Sequence, residues 1–419
     1  MPKIKSIFAR EILASGGAPS VEVTVTLDDG SIGKASVSYG ESAGSKEAFV
    51  LLDGDKARYN GKGMLKAVSN INGQIAPLLV GKDAFDQRSV DKIMLEADGT
   101  ENKSKFGANA ILAVSMGVAR AAANSSKLEL YEYLDKCFNV GNSKFKLPKP
   151  LAVFIEGGKH ADNSTDMQEY ILAVNKEQSA KENVRMMEEI YQAVKKIVKQ
   201  EGYSTNVGNE GAFAPAGIKS NELPLEYLSN AIKNAGYKPR EDAGIYMDPA
   251  SSEFYKDNKY VLNCESKTMT SEEMIERYQE WFKKYPILAL EDGLSEFDWE
   301  HWPTLLSKAD GVQIVADDLT VTNTKLWQQA IDKKAANAIL IKLNQAGSVT
   351  ETVDCCLLAK KYNLDTIPSH RGGGETNDTF LVDLAVAMGS KWIKVGPTRG
   401  ERVCKYNRLM RIEEELKLT

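Results

Sequence analysis

The stretch ILALED (residues 287–292) is the first of three short apolar runs that each end in an ionisable residue, and the other two are VQIVADD (312–318) and AILIK (338–342). An apolar run of this length with polar borders is typical of a strand buried on both faces, as in parallel sheets. Polar, helix-forming segments such as residues 326–334 separate the runs. This alternation predicts βα units and therefore an α/β fold.

The same pattern extends in both directions along the chain. One run ends at Asp248 upstream, and two others end at His370 and at Lys394 downstream. In a closed (β/α)8 barrel the carboxyl ends of the strands meet on one face, where the active site lies. Helix capping is the alternative for each acid taken alone, but it does not account for lysines at the same positions. We therefore expect three acids and two lysines to face a common centre: Asp248, Glu291, Asp317, Lys342 and Lys394.

Length and composition limit the class of protein. A chain of 419 residues predicts two domains, of about 130 and about 270 residues. The net charge of −5, with both signs interspersed, argues against nucleic acid or a membrane surface as the main partner. We find no apolar run near the length of a membrane span and no signal-peptide core at the start, so we expect a cytoplasmic location.

The cysteines and histidines limit the metals that the chain can bind. The five cysteines form no CxxC pair, and their odd number fits a reducing compartment. Only three histidines are present, so a metal site has to be built mainly from oxygen ligands. That composition favours magnesium over zinc.

The first part of the chain differs in pattern from the rest. Residues 21–27 alternate apolar and polar side chains and lead into the hairpin turn signal DDG (28–30), while residues 63–134 have a helical pattern. We therefore predict an N-terminal α+β capping domain over residues 1–140, a linker over 141–150, and a barrel domain over 141–419. The Gly- and Ser-rich segment 38–46 is either a plain surface connection or a mobile lid.

Several motifs, taken together, resemble the enolase (phosphopyruvate hydratase) family along nearly the whole chain. The matching stretches are GGKHADN (157–163), QE (168–169), GNEG (208–211), SSEF (251–254), LED (290–292), ADDLTVTN (316–323), KLNQ (342–345), SHR (369–371) and RIEEEL (411–416). The resemblance implies a capping domain followed by an enolase-type (β/α)8 barrel. It also implies a Mg²⁺-dependent lyase of glycolysis and gluconeogenesis that interconverts 2-phosphoglycerate and phosphoenolpyruvate.

The resemblance also implies a role for each matching residue. Lys342 would be the base that removes the C2 proton, and Glu210, with Glu169 beside it, the acid that helps the C3 hydroxyl to leave. A proton next to a carboxylate is weakly acidic, so its removal needs cationic stabilisation. Lys342 must be neutral to act, and we expect burial and nearby cations to lower its pKa. The remaining roles are Mg²⁺ ligation by Asp248, Glu291 and Asp317, phosphate binding by Arg371, carboxylate binding by Lys394, and lining of the substrate pocket by His160, Gln168 and His370.

Without the motif context, each of these residues has an ordinary alternative. Glu210 and His160 read equally well as loop residues exposed to water. Arg371 has an acid nearby in sequence, Glu375, with which to pair, and Glu169 fits a carboxylate at a strand edge.

The chain also departs from the family pattern near the expected site. The segment YGESAG (39–44) lacks the serine that the family uses for a second magnesium ion, and Glu41 adds a carboxylate there. The segment ASGGAP (14–19) lacks the basic residue of the family's dimer interface, which weakens the prediction of a homodimer. Gly372, Gly373 and Gly374 stand where the family has a phosphate-contacting serine, and we expect them to loosen the loop. Two hypotheses remain: a working enolase, or a catalytically impaired relative with a structural or binding role in a larger assembly.

Overall fold

The computed structural model describes residues 1–40 and 46–418. The sequence departure at Glu41, in the Gly- and Ser-rich segment 38–46, therefore lies outside the described residues.

The capping domain is a three-stranded antiparallel sheet covered by helices. Strands β1 (Ile4–Leu13), β2 (Pro19–Leu27) and β3 (Ile32–Ser36) pair in that order, and the predicted turn at Asp28 to Gly30 joins β2 to β3. A short strand β4 (Tyr39–Gly40) follows. The helices are α1 (Leu65–Asn70), α2 (Ala76–Leu79), α3 (Gln87–Asp98), α4 (Ala108–Ser126) and α5 (Leu130–Phe138).

Helix α4 packs closely on the sheet because its side chains are small. A Cβ atom added at Gly117 would lie 2.7 Å from Val23 Cγ1, and one at Gly33 would lie 2.1 Å from the carbonyl oxygen of Gly117. The alanines of α4 bury their area only at such short range. The small side chains of α4 thus account for its close packing on the sheet.

The second part of the chain alternates strands and helices, as the apolar runs predict. Its strands are β5 (Lys149–Glu156), β6 (Glu169–Val174), β7 (Ala243–Asp248), β8 (Tyr255–Lys256), β9 (Lys259–Leu262), β10 (Lys267–Met269), β11 (Ile287–Glu291), β12 (Gln313–Ala316), β13 (Ala338–Ile341), β14 (Asp365–Pro368), β15 (Gly373–Gly374) and β16 (Trp392–Val395). Its helices are α6 (Ala180–Gln200), α7 (Leu223–Asn234), α8 (Ser271–Lys284), α9 (Trp302–Ser307), α10 (Thr324–Asp332), α11 (Leu343–Ala346), α12 (Val349–Lys361), α13 (Phe380–Met388) and α14 (Arg402–Glu415).

Eight of these strands form one nearly closed barrel sheet in the order β14-β13-β12-β11-β7-β6-β5-β16. A parallel bridge between Ser369 and Lys394 brings the two ends of the sheet together. Strand β6 runs antiparallel to both β5 and β7, and the other pairs are parallel. The α/β barrel with an N-terminal cap is therefore confirmed. In one detail the sequence-based linker is wrong, because β5 already begins at Lys149 and Pro150 pairs with Ile393 inside the sheet.

The barrel interior is a packed core that supports the strand ends. Leu151, Val153, Ile171, Tyr246, Ala289, Val315, Leu340, Ile367 and Trp392 are among the side chains that fill it. Such packing makes the strand ends rigid positions for functional side chains. Among the helices that the structure describes, none has the length and apolar character required to cross a membrane.

Segments of both domains meet above the barrel in what we call the interdomain clasp: residues 14–18, residues 39–40, residues 46–47 and residues 371–375. Strand β4 pairs antiparallel with β15. The Ser15 amide donates to the Glu375 carbonyl oxygen at 2.8 Å, and the Glu375 amide donates to Ser15 Oγ at 2.9 Å. The segment that departs from the family's dimer motif thus contacts the barrel of the same chain.

The three glycines of the clasp lie where other groups approach the backbone closely or where the backbone conformation favours glycine. A Cβ atom at Gly372 would lie 2.5 Å from Glu210 Oε1, and one at Gly374 would lie 2.3 Å from the carbonyl oxygen of Tyr39. Gly373 has a φ of 84°, which favours glycine. The glycines are used because other groups approach the backbone too closely for a side chain.

Candidate functional site

The strand ends bring the predicted acids together on one face of the barrel. The register places Glu156 opposite Glu169, and Glu169 opposite Asp248. Because β6 is antiparallel to its neighbours, its first residue rather than its last lies at this face. Glu291 ends β11 and Asp317 follows β12 directly, so the same face carries a continuous row of carboxylates.

Lys394 links three of these carboxylates. Its Nζ lies 2.8 Å from Glu169 Oε2, 3.0 Å from Asp248 Oδ2 and 2.8 Å from Glu291 Oε2. Burial disfavours a charged lysine, but these acids outweigh burial and raise the pKa of Lys394 well above its usual value. The lysine is therefore a fixed cation at the centre of the face.

Lys342 forms an ion pair with Asp317, whose other oxygen accepts a hydrogen bond from Gln345 Nε2 at 2.9 Å. Burial would lower the pKa of Lys342, but the contact with Asp317 outweighs burial and raises it. The expectation of a lowered pKa is therefore wrong for this state of the protein. The reason is that a carboxylate in direct contact acts on the lysine more strongly than the more distant cations Arg371 and Lys394.

The predicted acid, Glu210, lines the same cleft as Lys342. Glu210 is 2% exposed, and its Oε2 lies 3.2 Å from His370 Nε2. His160 Nδ1 lies 3.4 Å from Glu169 Oε1 and 3.8 Å from Glu210 Oε1. Burial lowers the pKa of both histidines, which favours the neutral imidazoles. The alternative of water-exposed loop residues is thus wrong for Glu210, and Glu169 lies in a central strand rather than at an edge.

Arg371 pairs across the clasp and not with its sequence neighbour. Its guanidinium lies 3.0 Å from Glu47 Oε2 in the capping domain. Glu375 instead accepts the backbone amide of Arg371 at 2.9 Å and pairs with Lys405 at 3.0 Å. The predicted phosphate-binding residue therefore has a carboxylate beside it.

One cleft is lined by all the predicted site residues except Glu291, which is fully buried. Its lining includes His160, Gln168, Glu169, Glu210, Asp248, Asp317, Lys342, His370, Arg371 and Lys394. Gln168 Oε1 is buried and, among residues 1–40 and 46–418, has no hydrogen-bond partner, so it is available to a ligand. The structure thus brings the candidate residues into one concave site.

Sequence reasoning missed several charged residues of this site. Glu156 ends the apolar run 151–155, which is the signal that identified the other strand ends. Burial, and then the charge of Glu210, raise its pKa to about 8. Asp292 accepts the amides of Asp317 at 3.0 Å and Asp318 at 2.8 Å, and thereby ties two strand ends together. Glu47 carries no such signal, because its partner lies 324 positions away.

The carboxylates of this face fit a divalent cation with oxygen ligands. Asp292, Asp317 and Asp318 each offer an oxygen, and these atoms all lie within 4.8 Å of one another. Glu291 Oε1 is buried and lacks a hydrogen-bond partner within the described part of the chain. Because an orphaned buried carboxylate oxygen is costly, a cation bound by Glu291 would satisfy it.

Comparison with family models covers nearly the whole chain. Residues 4–134 match the model described as "Enolase, N-terminal domain". Residues 144–419 match the model described as "Enolase, C-terminal TIM barrel domain". The two matches correspond to the cap and to the barrel described above.

Proposed function

Since the chain belongs to the enolase family, we propose that it is a phosphopyruvate hydratase, which dehydrates 2-phosphoglycerate reversibly to phosphoenolpyruvate with Mg²⁺ as cofactor. The observation that carries this proposal is the presence of Lys342 and Glu210 in one cleft with two further cations, Arg371 and Lys394. A substrate with a phosphate and a carboxylate needs such cations, because its intermediate gains a further negative charge.

In this mechanism Lys342 takes the C2 proton, and Glu210, with Glu169 beside it, protonates the departing C3 hydroxyl. Lys342 has to lose its own proton before it can accept one, so its ion pair with Asp317 has to weaken in the working site. Magnesium held by Asp248, Glu291 and Asp317 would supply positive charge to the carboxylate of the intermediate.

The other predicted groups would hold the substrate. Arg371 suits the phosphate, because a guanidinium binds phosphate oxygens in pairs. Lys394 suits the carboxylate side, and His160, Gln168 and His370 line the remaining wall of the cleft. We also propose a cytoplasmic location, and a homodimer whose interface is weakened by the substitutions in residues 14–18.

One observation favours the second hypothesis, a catalytically impaired relative with a structural or binding role. The guanidinium of Arg371 is paired with Glu47, at the position where a phosphate would compete for it. A protein that never binds the phosphate would keep this pair permanently, whereas an enzyme would exchange it for the substrate.

A steady-state assay of 2-phosphoglycerate dehydration, with magnesium titrated over a wide range, separates the two. Lys342→Ala is expected to lower turnover by about 10³-fold or more, as loss of a general base does. Lys333→Ala, which removes an exposed lysine at the end of α10, is the control and should leave turnover unchanged. If the natural chain and Lys342→Ala are equally silent at saturating magnesium, the hydratase proposal is wrong and the second hypothesis replaces it.

A further inference from the structure

A buried carboxylate of the barrel contacts the loop that carries Glu210. Glu156 is the last residue of β5, and its side chain is 0% exposed. Its Oε2 accepts the backbone amide of Glu210 at 3.2 Å. Its other oxygen, Oε1, is buried and has no hydrogen-bond partner within the described part of the chain. The side chain of β5 thus hydrogen-bonds directly to the backbone of the residue that carries the predicted acid.

The loop backbone lies directly against this carboxyl group. A Cβ atom at Gly208 would lie 2.6 Å from Glu156 Cδ and 2.5 Å from the carbonyl oxygen of His160. Gly208 is therefore required for close approach, and a larger residue would push the loop away. The loop is also closed on itself, because Gly208 donates to the Ala212 carbonyl at 3.1 Å and Gly211 donates to that of Gly208 at 3.1 Å.

The anchor of this contact is rigid, whereas the loop itself has little regular structure. Strand β5 lies between β16 and β6 in the barrel sheet, and all of its residues are buried. Loop residues 208–211 lie outside helices and strands, between the isolated bridge partners Val207 and Phe213. The position of the Glu210 carboxyl group, 3.2 Å from His370, thus depends on what holds the loop to the sheet.

We propose that Glu156 is a positioning residue that fixes Glu210 in the cleft through the amide of Glu210 and the close approach of Gly208. The proposal rests on the proposed function, in which Glu210 is the acid. Displacement of a catalytic group by a fraction of an ångström slows the chemical step much more than it weakens substrate binding. The cations assigned to the phosphate and the carboxylate, Arg371 and Lys394, are held by other partners, whereas His160 in the wall of the cleft lies 3.9 Å from Glu156 Oε2.

Two variants test the role of Glu156 from its own side. Glu156→Ala removes the acceptor, and Glu156→Gln keeps a carbonyl oxygen for the Glu210 amide. We expect Glu156→Ala to lower kcat about 30-fold with KM changed less than threefold, and Glu156→Gln to restore kcat to within about fivefold of the natural chain. If Glu156 contributed only to stability, its replacement would not lower kcat while leaving KM nearly unchanged.

Amide hydrogen exchange of the loop gives a readout that does not depend on turnover. In Glu156→Ala the amides of residues 208–212 should exchange about tenfold faster, with α6 unchanged. Gly208→Ala approaches the same contact from the loop side and should reproduce both the faster exchange and the lower kcat. This second variant keeps the test valid if Glu156→Ala does not fold.

Asp91→Asn is the matched control. Asp91 is also a fully buried carboxyl that accepts a backbone amide, that of Thr350 at 2.9 Å, but it lies in the capping domain. Its replacement should leave kcat and the exchange of residues 208–212 unchanged. Unaltered loop exchange in Glu156→Ala, or a rise in KM without loss of kcat, overturns the proposal. If the natural chain shows no hydratase activity, the function proposed above fails by itself, and the exchange experiment decides the role of Glu156.

Discussion

The strand ends of the barrel and the interdomain clasp hold charged groups in the same cleft by different means. At the strand ends, side chains such as Lys394 and Asp248 project from a packed sheet and neutralise one another. In the clasp, backbone segments approach so closely that glycine is required, and an arginine of the barrel pairs with an acid of the cap. The first region depends on buried charge balance, and the second on backbone contact.

The comparison teaches that the two regions should fail in different ways. Loss of a charge at the strand ends leaves partners buried and unpaired, which costs much free energy. Crowding of the clasp shifts segments that lie partly at the surface, which costs less and acts mainly on the closing of the site over a ligand.

The largest expected effect is on the strand ends. Lys394→Met leaves Glu169, Asp248 and Glu291 without their shared cation, so we expect the free energy of unfolding to fall by about 3–5 kcal/mol. Urea unfolding in the presence of a chelator measures this. Lys391→Met, which removes an exposed lysine lying 3.9 Å from the Trp392 ring, should cost only about 0.5–1 kcal/mol. Equal losses in the two variants would contradict the view that buried charge balance holds the strand ends.

A smaller effect is expected from crowding the clasp. Gly374→Ala places a Cβ atom 2.3 Å from the carbonyl oxygen of Tyr39, so it should lower stability by about 1–3 kcal/mol and raise KM. Gly73→Ala is the control, since no described atom outside its own stretch lies within 4 Å of the added Cβ. That change should stabilise the protein by roughly 0.5–1 kcal/mol, because alanine loses less backbone entropy than glycine. If Gly374→Ala is tolerated as well as the control, the glycines do not hold the clasp together.

Charge in the clasp can be changed without crowding it. Glu47→Gln removes the negative charge beside Arg371, so inorganic phosphate should bind about fivefold more tightly, which corresponds to about 1 kcal/mol. Isothermal titration calorimetry with phosphate measures the change. Glu351→Gln breaks a different cap-to-barrel pair, with Lys103 at 3.0 Å, and should leave phosphate affinity unaltered. Weaker phosphate binding in Glu47→Gln would mean that Glu47 orients Arg371 rather than competing for it.

The smallest expected effect comes from an ion pair outside both regions. The hydrogen bond to Asp298 raises the pKa of His301, so the folded protein binds this proton more tightly than the unfolded chain does. The stabilisation is complete below the unfolded pKa of about 6.5 and is lost as pH rises through the higher folded pKa. Because the pair is partly exposed, we expect on the order of 0.5 kcal/mol.

Urea unfolding at pH 5.5 and pH 8.5 checks this sign. The difference in stability between the natural chain and His301→Gln should be larger at pH 5.5. A difference that grows towards pH 8.5 would refute the assignment of the shift to Asp298.

Residues at the strand ends were predictable because the signal is local. An apolar run followed by an ionisable residue located Asp248, Glu291, Asp317, Lys342 and Lys394, and the structure places all five at one end of the barrel. The roles assigned to them remain predictions. The same signal is present at Glu156, but no role was predicted for that residue.

The clasp was not predictable, because its features have no local signature. A run of three glycines is compatible with a loose loop and with close backbone contact, and only the neighbours of Gly372 to Gly374 distinguish the two. The antiparallel direction of β6 was also not predictable from the sequence. A short buried strand has the same apolar pattern whether it pairs parallel or antiparallel with its neighbours.

By itself, the sequence determined which residues form strands, which charged residues end them, and that a cap precedes a barrel, because these depend on the periodicity of neighbouring residues. Only the tertiary structure decided that Glu47 pairs with Arg371, that Glu156 contacts the Glu210 loop, and that Asp317 raises the pKa of Lys342. Each of these depends on how close in space two residues lie that are far apart in the chain. The strength of a Coulomb interaction or a hydrogen bond falls as that spatial separation grows.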